Sequence, residues 1–102
     1  MLNAIGFQPT PQVEIRDLQG RLVGRVDFLL KRERIIVEFD GLMKYAGANG
    51  RDALAAEKAR EDRLRALGYD FVRLTWADLS RPATVDRQLR LATGRAWARR
   101  AS

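Results

Sequence analysis

Histidine and cysteine are both absent from this 102-residue sequence. Without histidine there is no imidazole general base and no His-ligated zinc; without cysteine there is neither a disulfide framework nor a thiolate metal site. Any metal must therefore be held by oxygen, and a proton can move only through carboxylate, lysine, tyrosine or water. No apolar run approaches the ~20 residues of a membrane-spanning helix. Met1-Leu2-Asn3 opens no signal peptide, so a cytoplasmic location with no membrane partner is expected. Proline is scarce, and two of the three, Pro9 and Pro11, fall in a short lead-in over 1–11 that no helix can cross.

What is present is a chain with 46% hydrophobic residues, enough for one core at a single-domain length. Its net charge of +6 is unevenly placed. Residues 81–102 hold six arginines against Asp86, for +5, and the first eighty residues hold 13 basic against 12 acidic side chains, for +1. A basic end on a nearly neutral body suits a polyanion such as DNA, with Arg87, Arg90 and Arg95 as candidate contacts. A solubilising tail is the alternative.

The elements follow from periodicity. Gln12–Arg16 alternates, with Val13 and Ile15 on one side, and reads as a first strand ending in a turn over 17–20. Leu22–Leu30 and Ile35–Phe39 flank the charged connector Lys31-Arg32-Glu33-Arg34 and read as a hairpin, completing a three-stranded antiparallel meander. Arg51–Leu67 has helix-forming composition and is stopped by Gly68, with Ala53, Leu54, Leu64 and Leu67 as its buried side. Glu57 and Glu61 fall within or at the edge of that arc, and Lys58 and Asp62 flank it. They serve either to buttress a polar site or to make i,i+4 ion pairs. Tyr69–Trp76 is a fourth strand, parallel to one of the first three across the helical connection. Ser80 and Pro82 open a last helix with Val85, Leu89 and Ala92 or Ala96 inward, interrupted at Gly94. The fold class is α/β (α+β): one domain over 1–102 with a mixed four-stranded sheet and two helices, the basic C-terminal one within 81–102.

If Leu30 pairs with Ile35, opposed residue numbers in the hairpin sum to 65, so Asp27 faces Glu38 and Arg25 faces Asp40. Asp27, Glu38 and Asp40 then share one face, with Val26, Phe28, Val37 and Phe39 on the other. Like charges opposed across a sheet destabilise it unless compensated, and Mg²⁺ or Mn²⁺ would compensate them. A solvated face with Arg25 on Asp40 is the alternative. The glycine-rich loop after Asp40 carries Lys44. Carboxylates on a hairpin, a lysine-bearing helix and a basic flank suit phosphodiester hydrolysis. The metal would lower the pKa of a bound water, a lysine would orient it, and basic side chains would hold the DNA backbone without reading bases.

The run Arg25-Val26-Asp27-Phe28, then Val37-Glu38-Phe39-Asp40-Gly41, then AEKAREDRLRALGYDFVRLTW over 56–76, resembles the PD-(D/E)XK nuclease superfamily. Within it, the chain is most similar to small domains related to very-short-patch-repair (Vsr-like) endonucleases, of an actinobacterial type often labelled as a domain of unknown function. The likeness covers about Pro11 to Leu79. It implies a restriction-endonuclease-like core and Mg²⁺- or Mn²⁺-dependent DNA cleavage, with Asp27 and Glu38 on the metal. Asp40 stands where the superfamily usually has lysine, and a basic residue of the following helix takes over, which nominates Lys58, with Lys44 second. Glu57, Asp62 and Arg63 match the charged helix and are expected to brace the site. The superfamily core begins with a helix of which this chain holds at most the last turn, and the repair endonucleases use histidines that are missing here. Mismatch-specific nicking is therefore not implied. A truncated copy could pair as a homodimer, or be a catalytically inactive nuclease-fold domain that binds nucleic acid or a partner protein.

Overall fold

A computed structural model describes residues 6–39 and 50–101. β1 (Thr10–Arg16), β2 (Leu22–Leu30) and β3 (Ile35–Phe39) form the antiparallel meander, and β4 (Asp70–Leu74) joins β3 in parallel. The sheet order is thus the chain order. α1 (Gly50–Ala66) precedes β4, and α2 (Pro82–Ala101) follows a short 3₁₀ segment at Trp76–Ser80. The mixed four-stranded sheet with two helices is the α+β layout that the sequence implies.

The two hairpin turns are built differently. In the first, Asp17 Oδ1 accepts the backbone N–H groups of Gln19 and Arg21, both at 2.9 Å, and Gly20 supplies a φ of +84°. In the second, Arg34 takes φ +58°, donates from Nη2 to the Leu67 carbonyl at 2.9 Å and lies 4.6 Å over the Tyr69 ring. Its own carbonyl accepts the Asp70 N–H at 3.0 Å. Arg34 therefore fastens the hairpin to the segment joining α1 and β4.

One face of the sheet packs Leu30, Ile35, Val37, Val72 and Leu74 against Val85, Leu89 and Ala92 of α2, with Phe28 and Phe39 at its margin. Positions 85, 89, 92 and 96 form a helical stripe, and all four are buried. Each fully buried aliphatic side chain here contributes about 1.5–3 kcal/mol. The helix runs without interruption through Gly94. That glycine lies on the exposed side, where its weak propensity costs only about 1 kcal/mol and the apolar stripe offsets it.

The other face packs Ile15, Val26, Leu29, Ile36 and Phe71 against Leu64, which is the buried residue of α1. The wider apolar side expected of this helix is not formed, since Ala53 and Leu54 are exposed and Leu67 is half-buried. The stripe that leads to Leu64 is charged instead: Glu57, Arg60 and Glu61 precede it at helical spacing. Val26 also departs from expectation. Simple alternation groups it with Phe28, yet it packs with Ile15 and Leu29 on the α1 side. The β1–β2 ladder pairs Pro11 with Phe28 and Val13 with Val26 but skips Gln12 and Asp27, and Gln12 takes φ +52°. The register is the same on both sides of that gap, and it shifts between Ile15 and Arg16.

Candidate functional site

The β2–β3 register pairs Leu30 with Ile35, Leu29 with Ile36 and Phe28 with Val37, so Asp27 and Glu38 are next in line. There the backbone ladder gives way to a side chain. Asp27 Oδ2 accepts the Phe39 N–H at 3.0 Å, and Oδ1 receives no hydrogen bond from the described residues. Asp27 thus sits where the strands part, beside the residue that leads into Asp40.

Glu38 is 4% exposed and turns toward α1. Arg60 holds both of its oxygens, Nη2 to Oε2 at 2.7 Å and Nη1 to Oε1 at 3.2 Å, the forked geometry that guanidinium favours. Arg60 Nη1 also donates to Glu57 Oε1 at 2.7 Å, and Nη2 to the Arg25 carbonyl at 2.8 Å. Gly24 makes room for this side chain: a Cβ there would lie 2.7 Å from Arg60 Nε. Hydrogen bonding to Glu38 raises the Arg60 guanidinium above its ordinary pKa; burial opposes this, and the charges of Glu38 and Glu57 reinforce it.

From Arg60 the ion pairs continue across the face. Arg73 Nη2 donates to Glu57 at 3.3 Å and Arg73 Nη1 to Glu61, which also accepts Arg65 Nε at 2.8 Å. Arg65 Nη1 and Arg95 Nε then hold the two oxygens of Asp70, at 3.1 and 3.2 Å. Asp70 is 1% exposed. Glu38, Glu57, Glu61 and Asp70 thereby alternate with Arg60, Arg73, Arg65 and Arg95, from the hairpin to α2. Burial works to raise the Glu61 carboxyl, but the hydrogen bonds and charges of Arg65 and Arg73 hold it below its ordinary value.

The residues nominated from the sequence divide accordingly. Asp27 and Glu38 follow the last paired positions of the hairpin, Asp27 on the Phe39 N–H and Glu38 on Arg60, which joins it to Glu57. Lys58 does not join them: it is exposed and pairs with Asp62 at 3.0 Å, because one helical step of about 100° from Glu57 turns it to solvent. The basic side chains at Glu38 are Arg60, which hydrogen-bonds both oxygens, and Arg73, 3.9 Å away. Arg63 is exposed with no partner among the described residues, so neither it nor Asp62 braces the carboxylates. Asp40 and Lys44 lie outside the described residues. Arg25 pairs with Glu14 at 3.3 Å. On α2, Arg87 is exposed, Arg90 is held by Asp86 at 2.9 Å, and Arg95 by Asp70. Sequence reasoning missed Arg60, Arg65, Arg73 and Asp70. The one legible signal was β4 alternation, which sets Arg73 on the face of Phe71 and in register with Glu38.

Among the described residues, no group of three or more His, Cys, Asp or Glu side chains converges as a metal site. Nor is any helix among them long and apolar enough to cross a membrane. No protein-family model matches the chain, and no curated protein or solved structure does.

Proposed function

We propose that this chain is a metal-dependent, endonuclease-like domain of PD-(D/E)XK type, with a restriction-endonuclease-like core, that hydrolyses DNA phosphodiester bonds. The observation that carries this reading is that Asp27 Oδ2 accepts the N–H of Phe39, the residue that stands between Glu38 and Asp40 in the chain. The donors fit a hard cation in kind: they are carboxylate oxygens, and Asp27 Oδ1 has no donor among the described residues. Asp27, Glu38 and Asp40 would hold Mg²⁺ or Mn²⁺, which when bound supplies Lewis acidity and a water of lowered pKa. Arg60 takes the place that the resemblance gives to Lys58. It fixes the Glu38 carboxylate and puts a permanent positive charge beside it, where charge builds on a reacting phosphate. Arg87 supplies an exposed cation for the DNA backbone.

The hold of Arg60 on both Glu38 oxygens favours a second reading, a catalytically inactive nuclease-fold domain that binds nucleic acid. Titration separates the two. Under the first reading, Mn²⁺ raises the melting temperature of the wild type but not of Asp27→Ala, and plasmid nicking is lost in Glu38→Ala. Salt-sensitive DNA binding without nicking, weakened by Arg87→Ala combined with Arg90→Ala, assigns the second.

A further inference from the structure

An aromatic row runs from the sheet to the surface at the same end of β3. Phe28 meets Phe39 edge-on, with centroids 6.3 Å apart at 74°, and Trp76 stacks on Phe39 at 5.7 Å and 23°. Trp76 is nevertheless 72% exposed, so the indole spends one face on Phe39 and offers the other to solvent. This open ring is fixed from one face and through the chain before it. Phe39 backs it, and Asp78 Oδ2 pins the preceding residue by accepting the Thr75 N–H at 2.7 Å and the Thr75 hydroxyl at 3.2 Å. Phe39 also joins this ring to the candidate site, since its ring carries Trp76 while its N–H is held by Asp27. Downstream in the chain come Arg81 and Arg87, both exposed and without an acid partner among the described residues.

From the open indole backed by Phe39 we infer that Trp76 is a stacking platform for an unpaired nucleobase, with the exposed Arg81 and Arg87 as the cations for the phosphates of that strand. The substrate class is then a strand that is single or frayed at the point of contact. A base within a duplex has both faces occupied by its neighbours, whereas an unpaired base can lay its π-face on an indole that is already flat and fixed. Cations one segment away supply the charge complement that such a strand requires. The inference rests on the proposed function for its substrate, but binding in the absence of metal tests it separately.

The chain has two tryptophans, so Trp97→Phe leaves Trp76 as the sole indole reporter. Titrating that variant with oligothymidylate in EDTA at low salt should quench its fluorescence, and a duplex of equal length should quench it far less. Anisotropy of a labelled oligothymidylate should show Trp76→Leu, which keeps an apolar contact with Phe39, binding about 5- to 150-fold more weakly. Trp76→Phe should keep most of the affinity, and thermal melts of both variants would confirm folding. Binding that leaves Trp76 fluorescence unchanged, or an equal loss for duplex and single strand in Trp76→Leu, would overturn the platform. So would a fluorescence change that tracks protein concentration without DNA, because a second copy would then cover the ring. Quenching by oligothymidylate in a protein that never nicks DNA with Mg²⁺ would leave the platform standing and remove the hydrolase; nicking with a silent Trp76 would do the reverse.

Discussion

The two faces of the sheet are covered by helices of similar length, fastened by opposite means. α2 presents an unbroken apolar stripe and meets Leu30, Ile35, Val37, Val72 and Leu74. α1 presents Leu64 and, before it, Glu57, Arg60 and Glu61. Apolar burial is strong but indifferent to which atom touches which. A buried ion pair adds little net stability, since desolvation cancels much of the attraction, yet removing one partner is costly. The α2 face therefore holds the domain together, while the α1 face holds particular oxygens in particular places. Glu38, at the end of the hairpin, is the carboxylate that this second face fixes, through both nitrogens of the Arg60 fork.

The sharpest way to break this contrast is on the apolar side. Leu89→Ala, at a fully buried position, should lower unfolding free energy in urea by about 2–5 kcal/mol, whereas Leu54→Ala on exposed α1 should change it by less than about 0.5. Comparable losses would erase the distinction between the helices. On the ionic side, Arg60→Met leaves Glu38 with Arg73 at 3.9 Å and should cost about 3 kcal/mol. Adding Glu38→Met should recover much of that loss in a double-mutant cycle, because no unpaired buried charge remains.

Gly24→Ala should cost about 1–2 kcal/mol in the wild type by pushing Arg60 aside, and almost nothing in the Arg60→Met background. Equal costs in both backgrounds would mean that Gly24 serves the strand rather than the arginine. The smallest effect concerns acid. Because the folded-state pKa of Glu61 is depressed, its contribution is fully present above the unfolded value of 4.5 and is lost as pH falls through the folded value. Urea midpoints of wild type and Glu61→Gln should converge as pH drops below that range, and a constant gap would refute the assignment.

How much of this could be read in the sequence depends on the range of the interactions. The hairpin register followed from the connector at 31–34 and the flanking β-formers, all local, and the structure bears it out from Leu30–Ile35 to Phe28–Val37. The α2 stripe was legible for the same reason. Val26 was misplaced because strict alternation from Phe28 does not hold across Asp27, and nothing in that run of residues signals the break. Arg60 was missed because α1 carries several arginines, and helical spacing alone does not say which one finds a carboxylate 22 residues away. Asp27 was not legible as the acceptor that takes the Phe39 N–H, because alternation assigns a strand residue to a face and not to its neighbour's backbone.

The turn anchored by Asp17 and the turn anchored by Arg34 are alike in length, but only one of them is spare. At the first, Leu18 is 93% exposed and every stabilising bond stays inside the turn. A peptide tag or fluorophore spliced between Leu18 and Gln19 would project into solvent without disturbing the sheet. The same insertion beside Arg34 would pull out the rivet that joins the hairpin to Leu67 and Tyr69. Of these two turns, the first meander turn is the socket for a grafted handle.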